Sequence, residues 1–149
     1  MTTTGLPDWP WAGVEAASLP AAERLVIDAA RAWAAALHQG RPQPLALREV
    51  LMAEGAEAAT DALDAALRQL AQNPLTLGCP LCPRLIGQEA LLLTILAAAQ
   101  RHRRMEALAL LLRHLPPRPA YAAMAALVST AAGLARAGLR LREPWLRQG

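Results

Sequence analysis

The sequence predicts an all-α fold. The expected form is an irregular bundle of five to six helices with a Pro-rich N-terminal arm and a Cys/Pro loop between helices 3 and 4. Two observations carry this expectation. Ala (35) and Leu (28) together supply 63 of 149 residues, whereas Val (four) and Ile (three) are scarce, aromatics are 3% and Phe is absent. A sandwich or barrel builds its strands from β-branched and aromatic residues, so that class is excluded. Second, 54% of the residues are apolar, the net charge is only +3 and mean hydropathy is +0.21. Such a chain buries a core and is not disordered. Its length suits one domain with an aliphatic interior.

Residues 1–17 hold Gly5, Pro7, Pro10 and Gly13 around Asp8-Trp9-Pro10-Trp11, the composition of an extended arm. Indoles are costly to leave in water. Trp9 and Trp11 therefore either dock on the helical body or anchor a partner, a role in which Trp is enriched. The helical domain is expected over 18–139. A tail, 140–149, carries Trp145 after Pro144.

The first helix should start near Ser18 or Leu19, with Ser18 as its cap and Pro20 in its first turn. Leu25, Ala29, Ala32, Trp33, Ala36 and Leu37 follow helical spacing, and Glu23, Arg24, Asp28 and Arg31 fall elsewhere. Gly40 ends this helix, and Pro42 and Pro44 prevent its continuation. A second helix over 44–54 places Leu47, Val50 and Leu51 on one side, until Gly55 breaks it. A third, over 56–72, has an apolar stripe of Ala59, Leu63, Ala66, Leu67 and Leu70, and an acidic face of Glu57, Asp61 and Asp64.

The fourth helix, 87–100, is apolar around most of its circumference at Leu91, Leu92, Leu93, Ile95 and Leu96, which predicts a central, buried position. The fifth, 104–115, sets Leu108, Leu111, Leu112 and Leu115 at i, i+3, i+4 and i+7. Pro116-Pro117 stops it. The sixth, 118–137, has a stripe of Met124, Leu127, Val128, Ala131 and Leu134. A second row, Ala125, Ser129, Gly133 and Ala137, is small throughout and suits the close approach of a neighbouring helix. No repeat recurs at a constant period.

All 15 basic residues are Arg, a bias that a GC-rich genome explains without any nucleic-acid partner. Their distribution is more informative. Residues 1–64 carry a balance of −5 and residues 65–149 a balance of +8. Either the halves face each other and solvent, or the second half offers a basic face to an acidic partner, protein or nucleic acid. Arg101, Arg103, Arg104 and Arg113 are the candidate contacts. Nucleic-acid binding would call for denser basic clusters, interleaved aromatics or a recognisable helix-turn-helix, so an acidic protein surface is favoured. The N-terminus lacks the charged and apolar regions of a secretory signal. The longest uncharged apolar run, 119–135, is short and about half Ala. These features predict a cytoplasmic protein without a membrane span.

Cys79-Pro80-Leu81-Cys82 is the most suggestive chemical constellation. Three readings compete. In the first, both thiols are small apolar plugs in a Pro-rich loop. In the second, they form half of a zinc site, completed by the same pair from a second chain, since His38, His102 and His114 lie on separate segments. Or they are a redox pair, with Arg84 and the start of the fourth helix lowering a thiol pKa. A C-x-x-C ahead of a helix resembles that of the all-helical thiol enzymes of the alkylhydroperoxidase-D type, and the resemblance implies redox chemistry at Cys79 and Cys82. It covers four residues and the helical class. Ile86 stands where that family has His, and the nearest acid before Cys79 is Asp64.

No phosphate-binding glycine loop, dinucleotide fingerprint or serine elbow occurs in the sequence, and Ser is confined to Ser18 and Ser129. The expectation is a non-enzymatic interaction or regulatory protein without a cofactor, using its basic second half. The alternatives are a thiol-dependent redox or zinc protein centred on Cys79 and Cys82, and a nucleic-acid-binding regulator.

Overall fold

The computed structural model describes residue 11 and residues 13–72 and 81–142. The described residues form six α-helices: α1 (Ala21–His38), α2 (Gln43–Met52), α3 (Thr60–Ala71), α4 (Gly87–Gln100), α5 (Arg104–His114) and α6 (Pro117–Arg136). Among the described residues there is no strand. An isolated antiparallel bridge joins Glu15 to Arg84.

The helix starts differ from expectation in two places. Ser18 does not cap α1. Its Oγ donates to the Glu15 carbonyl at 2.8 Å and closes a 3-10 turn over Ala16–Ser18, so Pro20 takes the N-cap position without a side-chain bond. The third helix is split. A 3-10 turn, Glu57–Ala59, precedes α3, and Thr60 Oγ1 donates back to the Glu57 carbonyl at 2.7 Å. This turn lies against α6 at Gly133, where an added Cβ would stand 3.1 Å from the Ala59 Cβ. Within the predicted small-residue row, Gly133 meets a neighbour closely and Ala137 packs against the core. Ala125 and Ser129 are exposed, because the row winds out of the interface towards the start of α6.

The helix ends share one device. After α1, α4 and α6 the chain closes with paired backbone bonds, in which the residue in the left-handed region sits one position beyond the cap. Gly40 and Gly138 fill that position after α1 and α6, whereas His102 fills it after α4 with φ 61°.

The apolar core threads through all six helices. α6 packs across α3, α4 and α5, while α1 packs on α2. In α4 every residue from Glu89 to Gln100 is buried, so the helix has no aqueous face, as its composition predicts. Its polar groups are satisfied internally. Thr94 Oγ1 donates to the Ala90 carbonyl at 3.0 Å. Gln100 Nε2 donates to the carbonyls of Ala131 (3.2 Å) and Leu139 (2.9 Å), and its Oε1 accepts from the Leu141 amide at 2.7 Å. The chain after α6 is thereby folded back over the core. Glu23 extends this fastening by accepting the Arg142 amide at 2.6 Å. No helix is long and apolar enough to cross a membrane among the described residues.

Candidate functional site

Two regions gather the residues that the sequence singles out. The first surrounds Cys82. Arg31 of α1 and Glu89 of α4 are 2% and 0% exposed. Arg31 Nε donates to Glu89 Oε2 at 2.7 Å and its Nη2 to Oε1 at 2.9 Å. The remaining guanidinium donors reach the loop. Nη1 donates to the Cys82 carbonyl at 2.7 Å and Nη2 to the Arg84 carbonyl at 3.1 Å. Glu89 Oε1 also accepts the Ile86 amide at 3.1 Å, which satisfies an orphan donor at the start of α4.

The helical pattern places Glu23 and Arg31 off the apolar face of α1, and their burial corrects that expectation. They lie one turn on either side of fully buried Ile27, so the packed surface of α1 continues along the row Glu23–Ile27–Arg31. A polar group on that row stays inside only with a partner: Glu89 supplies it for Arg31, and the Arg142 amide donates to Glu23. The legible signal is Glu89, the one acid between Asp64 and Glu106, in the first turn of an otherwise apolar helix.

Backbone pairing holds the same loop to the N-terminal segment. The Gly13 amide donates to the Leu85 carbonyl (3.1 Å), the Leu85 amide to Val14 (2.9 Å) and the Ala16 amide to Pro83 (2.7 Å). Cys82 itself is half-buried. With Pro83, Glu15, Arg24, Asp28 and Arg31 it lines a cleft of about 300 Å³. Cys79 and Trp9 lie outside the described residues, and so do the paired-thiol redox and zinc arrangements. Among the described residues no group of three or more His, Cys, Asp or Glu gathers to hold a metal.

Trp11 is 2% exposed and belongs to the core. It does not present a surface to a partner, which corrects its expected role as a contact; burial of the indole in the aliphatic interior decides between its two readings. Trp33 is also buried. Its Nε1 donates to Asp64 Oδ1 at 2.9 Å, and Asp64 Oδ2 accepts from Arg68 at 2.8 Å. The acidic face of α3 is therefore divided: Glu57 and Asp61 face solvent, and Asp64 serves the fold.

The second region is the basic end of the bundle. The carboxyl ends of α4 and α6 meet, joined by Gln100 of α4 through the Ala131 and Leu139 carbonyls. Between these ends and the first turn of α5 lies a cleft of about 250 Å³. Its rim is His102, Arg104, Arg136 and Arg140, and Ala99, Val128, Ala131 and Ala135 are among its walls. No carboxylate lines it among the described residues. The four rim side chains form no hydrogen bond or ion pair with other described residues. A cation in the last turn of α6 suits the helix dipole, which accounts for Arg136. It does not account for Arg104, which stands in the first turn of α5, where a positive charge is disfavoured.

Of the other predicted contacts, Arg101 is half-buried and donates to the Ala97 carbonyl at 3.1 Å, whereas Arg103 and Arg113 are exposed. The predicted stripe of α5 is rotated. Ala107, Leu111 and Leu115 are buried, and Leu112 is 40% exposed. Met105 (78% exposed), Ala109 and Leu112 form an outward row at i, i+4 and i+7. Sequence alone does not join Arg136 and Arg140 to Arg104, because their neighbourhood depends on the meeting of the carboxyl ends of α4 and α6. No family model matches the chain, and no curated protein or solved structure is similar to it.

Proposed function

We propose that the chain is a non-enzymatic interaction module that takes an acidic, amphipathic segment of a partner protein at the basic end of the bundle. The observation that carries this reading is the cleft rimmed by Arg104, Arg136, Arg140 and His102, with no acidic side chain in its lining among the described residues. Unneutralised cations around a concave surface attract and orient an anionic partner. The outward row Met105–Ala109–Leu112 begins beside Arg104 and adds an apolar strip along α5, with Arg113 at its far end. A partner helix laid on that row would rest its apolar face there and direct its carboxylates to the arginines.

The test uses the full chain and a labelled synthetic helix with Leu on one face and Glu on the other, followed by fluorescence anisotropy. Saturable binding that weakens steeply with added salt is expected, and R104E/R136E should abolish it. Equal affinity for a Lys-bearing counterpart of the peptide would overturn the reading. So would tighter binding of a nucleic-acid oligonucleotide that displaces the acidic helix.

A further inference from the structure

We infer that the cleft between the carboxyl ends of α4 and α6 is a phosphate-monoester subsite, and that it seats a phosphorylated side chain of the acidic partner. This inference rests on the interaction-module reading and adds the chemistry of its anchor. Three arguments support it.

The first is the sign of the charge. Two other clefts on the surface mix signs: Arg24 and Arg31 stand with Glu15 and Asp28 in one, and Arg48 with Glu57 and Asp61 in the other. The cleft at the α4 and α6 ends holds Arg104, Arg136 and Arg140 with His102 and, among the described residues, no acid. In the mixed clefts an incoming anion competes with resident carboxylates; here, among the described residues, it meets only the partial negative charge of two helix ends, which three guanidiniums outweigh.

The second is the match of charge and donors. A carboxylate brings one negative charge, whereas a phosphate monoester brings about −1.5 to −2 at neutral pH, with three acceptor oxygens. Three guanidiniums, each a planar fork of N–H donors, suit the larger charge and the greater number of acceptors. Arg104 adds to this at the first turn of α5, where its own charge is locally unfavourable until an anion arrives.

The third is the wall. Ala99, Val128, Ala131 and Ala135 present methyl groups beneath the charged rim. A free inorganic ion leaves such a surface uncovered. The carbon part of a phosphorylated side chain covers it.

The experiment titrates the full chain with phenyl phosphate, phenylacetate and inorganic phosphate, followed by amide chemical shifts. In parallel, anisotropy compares the acidic helix with and without one phosphotyrosine. Phenyl phosphate should bind roughly 10-fold more tightly than phenylacetate, with shifts at His102, Arg104, Ala131 and Arg140. The phosphorylated helix should exceed its parent by a similar factor. R136Q/R140Q should remove both gains and leave the circular dichroism unchanged, since both side chains are exposed and unpaired. An acidic helix that binds equally well with and without phosphate overturns the inference and leaves the module reading standing. If neither helix binds, that reading fails, while phenyl phosphate still decides the cleft. Phenyl phosphate binding that survives R136Q/R140Q places the anion elsewhere and overturns the assignment.

Discussion

Arg31 and Glu89, 58 positions apart in the chain, meet inside the bundle through two N–H···O bonds of 2.7 and 2.9 Å. The pair joins α1 to the first turn of α4, and the guanidinium continues to the carbonyls of Cys82 and Arg84. One buried cation thus fixes two helices and a loop at the same point.

Removing either partner should be far worse than removing both. Glu89→Ala leaves the guanidinium buried without its counter-charge, for which about 3–5 kcal/mol is the expected loss. R31M/E89L replaces the pair with apolar groups and should recover much of that. Urea unfolding of the two variants checks this, and a double variant as unstable as the single would refute it.

His102 offers a gain. It holds φ 61° at the position where Gly40 and Gly138 serve the equivalent helix ends. Left-handed backbone costs a non-glycine residue roughly 1–2 kcal/mol, so His102→Gly should stabilise the fold by about 1 kcal/mol once the added freedom of the unfolded chain is subtracted. Thermal unfolding reads the sign directly.

Gly133 and Ser129 sit one turn apart on α6 and should respond oppositely to the same change. Ala59 already stands 3.1 Å from where a Cβ would be at Gly133, so Gly133→Leu must push apart α6 and the Glu57–Ala59 turn. Overpacking of this kind costs about 1–3 kcal/mol. Ser129 is exposed, and Ser129→Leu should stay within about 0.5 kcal/mol of the parent. Equal effects in denaturant melts would show that the close approach is not maintained in solution.

The helices were legible because Gly, Pro and the apolar period agree along most of the chain. The start and end of α4, for example, follow from Gly87 and from the change at Arg101 to a charged run. What escaped depends on packing at long range. Nothing near Arg31 in sequence distinguishes it from Arg24, yet Arg24 forms an exposed pair with Asp28 and Arg31 is buried with Glu89. Likewise Arg104 is recognisable within a basic run, whereas Arg136 and Arg140 join it only through the helix arrangement. The rotation of α5 was also hidden, because Leu occupies its inner and outer surfaces alike, and volume and packing place Leu111 inside and Leu112 outside.

The Arg31 clamp has a dynamic consequence for the segment around Cys82. A surface loop ordinarily opens by itself, at small cost and often. Here, freeing the Cys82 and Arg84 carbonyls means withdrawing donors from a guanidinium that is otherwise sealed among α1 and α4. The loop and the interior therefore share one opening event. The Leu85 amide, although it belongs to no helix, should exchange its proton on the slow clock of global unfolding.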